Sequence, residues 1–302
     1  MTELAGLPSG RPRRLVYFGT PTMAVPTLEV LVASGFEVAL VVTRVDKRRG
    51  RGGHIVSSPV KQTAQRLGLP VSHLVEDALT VDADLGIVVA FGQLIKSHVL
   101  ARLPMVNVHF SLLPRWRGAA PVERALLAGD AMTGVCLMQL DEGLDTGPVL
   151  DVVEVPIGTR ETVADLRERL VSSGSECLVA ALTTGFARAR AQVGEPTYAA
   201  KLTADEFAID WTRSAAEIDR LVRLGVAYSY FRGKRLKILS SEVVDGRGDS
   251  GTFIDPGLVT CGSGALALVR VQPEGKSSMD ADSWANGARP NRGERFSTMV
   301  KA

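Results

Sequence analysis

Two polar side chains are set two residues apart in Val106-Asn107-Val108-His109-Phe110-Ser111-Leu112-Leu113-Pro114, an otherwise apolar run. A strand alternates its side chains with period two, so Asn107 and His109 point to the same side. Polar groups on an apolar strand are costly unless they are paired or used. Asp145 lies in a second loop, Asp141-Glu142-Gly143-Leu144-Asp145-Thr146-Gly147, that can reach the same strand end. An Asn–His–Asp set suits acyl transfer without a covalent enzyme intermediate. The asparagine amide and an imidazole N–H can stabilise the oxyanion that forms when an amine attacks a carbonyl, and one such donor contributes about 3 kcal/mol. The aspartate can orient the imidazole and help to take the proton that the amine loses.

Other chemistries fit less well. Ser111 is close to His109, but it lacks a nucleophile-elbow context for a Ser–His–Asp hydrolase. No histidine stands at metal-ligand spacing from another ligand, and no metal is expected. Cys136, Cys177 and Cys261 are the three cysteines. Scattered and odd in number, they read as free thiols rather than as disulfides or a zinc site. Gly19-Thr20-Pro21 follows the first apolar run, but the full G-x-G-x-x-G is missing, so NAD is not expected. The glycine reads instead as a tight strand-to-helix turn with Thr20 or Thr22 near the helix N-cap.

The elements that would position these residues alternate. Strands are expected at Leu15–Phe18, Val38–Thr43, Gly86–Phe91 and Met105–Phe110, then at Val135–Leu140 and Val149–Val155. Helices are expected after Pro21, over Pro59–Leu67, around Ile95–Leu103 and from about Glu161 to Gly185. That order predicts an α/β fold with a Rossmann-type, mostly parallel sheet. Ligands bind such sheets beyond the carboxyl ends of the strands, where Asn107 and His109 fall. A polar stretch broken by Gly194 and Pro196 follows, and then short β runs separated by turns. These suggest a small OB-like β-barrel domain. The expected organisation is an N-terminal tail (1–12), a catalytic domain (13–186), a linker (187–206) and a C-terminal domain (207–302).

With 302 residues and a net charge of +2, the chain is long enough for two domains and not basic enough overall to announce a nucleic-acid binder. No apolar run approaches the roughly 18 residues that span a bilayer. The start has no apolar signal core, so the expected location is the cytoplasm, with no membrane partner. The local charge distribution says more. Lys47, Arg48, Arg49 and Arg51 crowd a glycine-bearing loop, and Arg232, Lys234, Arg235 and Lys237 form a second cluster. Taken alone, such runs are usually solvated faces.

Asn107 to Pro114, continuing through Arg115-Trp116-Arg117-Gly118-Ala119-Ala120-Pro121, closely resembles the central signature of the methionyl-tRNA formyltransferases. So do Phe18-Gly19-Thr20-Pro21, the loop Asp141–Gly147, Tyr198-Ala199-Ala200-Lys201-Leu202 and Ile209-Asp210-Trp211. The match runs from about residue 13 to about 296. Asn-x-His with a distal Asp is shared by all folate-dependent formyltransferases. The Arg-Trp-Arg-Gly-Ala-Ala-Pro extension and the C-terminal domain point to the tRNA branch.

This resemblance implies a formyltransferase fold, 10-formyltetrahydrofolate as donor, and the methionine of initiator methionyl-tRNA as acceptor, for initiation of protein synthesis. It puts Asn107, His109 and Asp145 on catalytic positions and Ser111, Leu112, Leu113 and Pro114 on the folate-contacting segment. It places Phe91, Gly92 and Leu144 in loops around the pterin. Arg51 falls on a tRNA-contacting arginine, inside a loop that enters the acceptor stem with Lys47, Arg48 and Arg49. The second basic cluster is a candidate track for the tRNA backbone. A monomer is implied. The chain departs from the pattern at Phe110, where many relatives carry a small residue, and at Gly225–Phe231, which lacks the usual Asn-Pro-x-Pro. Val75–Leu85 also looks short. Two rival readings share the trio: a formyltransferase acting on a small amine, and a catalytically silent folate- or RNA-binding relative.

Overall fold

A computed structural model describes residues 4–49 and 54–297, with the side chains of 47–49 and 54 left undescribed. The chain divides into two compact units. The first comprises residues up to Val122, Met132–Pro156 and Leu166–Ala200, and the second comprises Glu123–Ala131, Ile157–Asp165 and Lys201 onward.

In the first unit, strands β1 (Arg14–Gly19) and β2 (Glu37–Val42) are followed by a short hairpin, β3 (Lys47–Arg49) and β4 (His54–Val56). Next come β5 (Val71–Ser72), β6 (Leu85–Val89), β7 (Met105–His109), β8 (Arg117–Gly118), β9 (Met132–Gln139), β10 (Val149–Pro156) and β11 (Tyr198–Ala199). A 7-stranded sheet has the order β10-β9-β7-β6-β1-β2-β5. From β7 to β5 all neighbours are parallel, whereas β9 runs antiparallel to both β7 and β10. The sheet is a Rossmann-type, mostly parallel one. β1 and β6, inside the sheet, are buried on both faces, which explains why they read as unbroken apolar runs.

Helices α1 (Val25–Ala33), α2 (Pro59–Arg66) and α3 (Ser97–Leu100) connect the strands of this unit; α4 (Pro121–Ala128) lies mostly in the second unit, and α5 (Val163–Thr184) follows β10. On one face of the sheet Val16, Phe18, Val42, Val88, Phe91 and Met105 form a core with Val99 and Leu103. On α5, Gly174 comes close to Val108 and Val135, and Ser175 shares a buried 2.8 Å hydrogen bond with Thr27 of α1.

Two sequence expectations are corrected. The helix expected around Ile95–Leu103 is a single turn, α3, because Lys96 is extended (ψ 153°), and Ile95 and Leu103 are buried outside that turn. Neither Thr20 nor Thr22 caps α1, which starts from Ala24 after a 3-10 turn with no side-chain cap. Instead, the Thr20 hydroxyl donates to the carbonyl of Phe91 (3.2 Å), tying the ends of β1 and β6 together. Gly19 is required by packing rather than by a phosphate. A Cβ there would lie 2.8 Å from the Tyr17 ring and 3.3 Å from the carbonyl of Val89.

The second unit adds α6 (Ala215–Val222), β12 (Tyr228–Phe231), β13 (Lys234–Val244), β14 (Phe253–Asp255), β15 (Leu258–Thr260), β16 (Ala265–Pro273), β17 (Met279–Asp280) and α7 (Ala281–Ala288). Its strands form a curled antiparallel 6-stranded sheet, β12-β13-β16-β15-β14, with β17 beside β16. A C-terminal segment joins the two edges. Ser297 exchanges backbone hydrogen bonds with Tyr230 of β12, Phe296 donates to Gly251, and Phe253 of β14 donates to Glu294. Phe296 stacks on Trp211 at 5.0 Å inside a core that also holds Phe231, Phe253 and Trp284. Residues 123–131 join this unit through Arg124–Glu206 (2.6 Å) and a hydrogen bond from Arg220 to the carbonyl of Leu127.

Candidate active site

Because β7 is central, its carboxyl end opens between the ends of β6 and β9. Asn107 lies opposite Val88 and Met138, and His109 opposite Cys136. The two side chains share a face, as period two requires, and both turn to Asp145. The Nδ2 of Asn107 lies 3.4 Å from Asp145 Oδ1, and the Nδ1 of His109 lies 3.6 Å from Oδ2. The imidazole is buried, with its side chain 6% exposed, whereas Asn107 and Asp145 are half-buried. The Oδ1 of Asn107 and its second N–H have no hydrogen-bond partner among the described residues, leaving an amide donor for a ligand.

Asp145 is tightly held. Its Oδ2 accepts the backbone N–H of Gly118 at 2.8 Å, and its φ is +52°, in the left-handed region. Gly118 has φ +118°, and a Cβ there would press to 3.0 Å from the carbonyl of Ala199 in β11, so β8 and β11 pair closely only because this residue is glycine. Nε2 of His109 lies 3.0 Å from the carbonyl of Trp116. A carbonyl only accepts, so Nε2 carries the proton, and Nδ1 is the nitrogen turned to Asp145.

The folate-contacting segment expected from the resemblance leaves β7 beside this trio. Ser111 is fully buried, and its hydroxyl donates to the carbonyl of Arg115 at 2.6 Å. That bond occupies the serine and argues against a nucleophile. Leu112, Leu113 and Pro114 are half-buried, with a cis peptide between Leu113 and Pro114. The N–H of Leu113 donates to Sγ of Cys136 at 3.4 Å, and burial pushes that thiol up to about 11. Phe110 is itself buried. Gly92 and Leu144 are exposed, but the Phe91 side chain is buried edge-on against Phe18, so that residue offers its backbone rather than its ring. Arg44, at the end of β2, lies against Gly92.

Of the basic candidates, Lys47, Arg48 and Arg49 form β3, and Arg51 lies outside the described residues. In the second unit, Arg232 is bound to Glu294 (2.6 Å) and to the carbonyls of Ala288 and Arg289, which makes it a structural residue. Arg235 stacks on the ring of Tyr228 at 3.9 Å.

Sequence reasoning missed the polar strap beneath the trio. Gln192 and Thr197 come from the stretch that reads as a linker, yet Thr197 Oγ1 accepts the N–H of Trp116 at 2.9 Å, and Gln192 bonds into the Asp145 loop. Neither residue carries a periodic or motif signal. Among the described residues no group of three or more His, Cys, Asp or Glu is placed to hold a metal ion, and no helix is long and apolar enough to cross a membrane.

Comparison with known proteins identifies the family. Residues 13–182 match the formyl transferase family, and residues 201–289 match the formyl transferase C-terminal domain. The methionyl-tRNA formyltransferase of Ruegeria pomeroyi is 41% identical over 304 residues, covering 94% of this chain and 100% of that protein. That of a Jannaschia species is 43% identical over 294 residues, covering 91% of this chain and 97% of the relative. The N-formyltransferase from Helicobacter canadensis, solved in complex with folinic acid and dTDP-3-aminofucose, shares the fold at TM-score 0.66 and 19% identity. That likeness covers 85% of this chain and 98% of the solved one. The chain belongs to the formyl transferase family, among its methionyl-tRNA formyltransferases.

Proposed function

We propose that this protein transfers a formyl group from 10-formyltetrahydrofolate to the α-amine of methionine on initiator methionyl-tRNA, for initiation of protein synthesis. The observation that carries the reading is the meeting of Asn107, His109 and Asp145 at the carboxyl end of β7. Full-length identity to methionyl-tRNA formyltransferases supports the acceptor.

The residues present fit a folate. Half-buried Leu112, Leu113 and Pro114 follow β7 directly and offer apolar surface to a ligand, and exposed Leu144 lies in the loop that carries Asp145. The folate supplies an activated formyl carbon when bound. The chain's own groups do the rest. Asn107 donates to the carbonyl oxygen as negative charge develops there. Nδ1 of His109, unprotonated in the neutral ring, and the carboxylate of Asp145 flank the place where the amine sheds its proton. Gly118 holds that carboxylate with a backbone N–H. In this reading Lys47, Arg48, Arg49 and Arg51 contact the acceptor stem, fixing position on phosphates. The enzyme works as a monomer in the cytoplasm.

Acceptor competition tests the reading. Purified protein, labelled 10-formyltetrahydrofolate, methionyl-initiator-tRNA and a nucleotide-linked amino sugar are incubated together, and the products are separated. Label on the tRNA alone is the expected result. Label on the sugar alone would replace the acceptor, and folate binding without label on either would mark a silent relative.

A further inference from the structure

Gln192 stands far from the catalytic trio in sequence and in no motif, yet its side-chain amide uses every hydrogen-bonding position it has. Nε2 donates to two carbonyls of the catalytic loop, Asp145 O and Gly147 O, each at 2.8 Å. Oε1 accepts from Nε and Nη2 of Arg117 at 3.0 and 2.7 Å. Its orientation is unambiguous, because carbonyls only accept and a guanidinium only donates. The four bonds close a ring. Arg117 precedes Gly118, the N–H of Gly118 holds the carboxylate of Asp145, and Gln192 holds the carbonyl of the same aspartate. Asp145 is thus gripped at both ends while its backbone sits at φ +52°, a conformation that persists only where the surroundings enforce it. The segment that delivers Gln192 is itself fixed. Arg190 exchanges backbone hydrogen bonds with Val149 at 2.8 Å, and Tyr198 and Ala199 pair with Arg117 and Gly118.

We infer that Gln192 is a positioning residue for formyl transfer, which sets the placement of the Asp145 carboxylate against His109 and Asn107 through the Asp145 and Gly147 carbonyls. The inference rests on the reading of this trio as the transfer site. A side chain that only tied residues 187–200 to the rest of the unit would need the Arg117 bond alone. The two bonds to the catalytic loop are what a positioning role adds.

The test uses the full chain with Gln192→Glu, Gln192→Met and Asp145→Asn. Glutamate keeps the bond to Arg117 and cannot donate to the two carbonyls when ionised. Methionine keeps the length and loses everything else. Both variants should lose kcat on the order of 100-fold, the cost of misplacing a catalytic group by about 1 Å. KM for methionyl-tRNA and for the folate should stay within about twofold, and circular dichroism should show both variants folded. In an Asp145→Asn background, Gln192→Glu should cost little more, because the two residues act as one unit. Wild-type kcat in Gln192→Glu, a raised KM with kcat kept, or a full multiplicative loss in the double variant would each overturn the assignment. If the wild-type protein itself transferred no formyl group, the functional reading would fail instead, so the two failures are distinct.

Discussion

Nδ1 of His109 and Oδ2 of Asp145 face each other at 3.6 Å, too far for a direct hydrogen bond, with the imidazole buried and the carboxylate half-buried. Trp116 fixes the other ring nitrogen, so the open nitrogen of His109 and the carboxylate flank one gap. In the proposed mechanism the proton shed by the amine enters that gap. Asp145→Asn isolates the charge: asparagine tolerates the left-handed backbone, and its carbonyl oxygen can still accept from Gly118. Turnover should fall by about 10²–10⁴-fold with unchanged folate binding. Single-turnover formylation checks this, and a rate within threefold of wild type would remove Asp145 from the proton path.

Asn107 offers a donor and is half-buried. Asn107→Ala should therefore slow the chemical step by about 10²–10³-fold, the usual effect of losing one oxyanion donor, without lowering the melting temperature. A variant that instead binds folate weakly and turns over normally would make Asn107 a binding residue.

Two buried thiols make a pH prediction. Burial pushes Cys136 from 9.0 to about 11 and Cys261 to about 12. Both stay protonated in the folded protein at pH 8, and the thiol, unlike the thiolate, is a poor nucleophile. Stability linked to Cys136 is complete below its unfolded value near 9.0 and is lost as the pH rises towards about 11, where the unfolded chain has released a proton that the folded one retains. Iodoacetamide at pH 8 should modify neither residue until denaturant is added, and mass spectrometry reads the outcome.

In the second unit, the stack of Phe296 on Trp211 anchors the segment that joins the sheet edges. Phe296→Ala should destabilise this unit by about 3–5 kcal/mol. Denaturant unfolding followed by tryptophan fluorescence measures the loss, and a change under 1 kcal/mol would show that the edges close without it.

How far the sequence reveals this arrangement depends on the range of the interaction. The parallel sheet is visible because each strand is a local apolar run, and Asn107 and His109 are visible because period two puts them on one face. The place of Asp145 is not local. Its loop is legible only as one able to reach the strand end, and its left-handed backbone and the Gly118 contact arise from folding. Gln192 left no trace, since one polar residue in a Gly- and Pro-punctuated stretch has no period to stand out from. Ile95 and Leu103 misled in the opposite way: both are apolar because they fill the core, not because they share a helix. Thr20 looked like a cap and instead joins two strand ends, which only the parallel neighbour β6 makes possible.

The central claim is transfer to the methionine of initiator tRNA through Asn107, His109 and Asp145. The most direct measurement compares kcat/KM for formyl transfer from 10-formyltetrahydrofolate to methionyl-initiator-tRNA and to methionyl-elongator-tRNA. The account predicts rapid formylation of the initiator, orders of magnitude above the elongator. Equal rates on the two, or no transfer to either with folate bound, would contradict it.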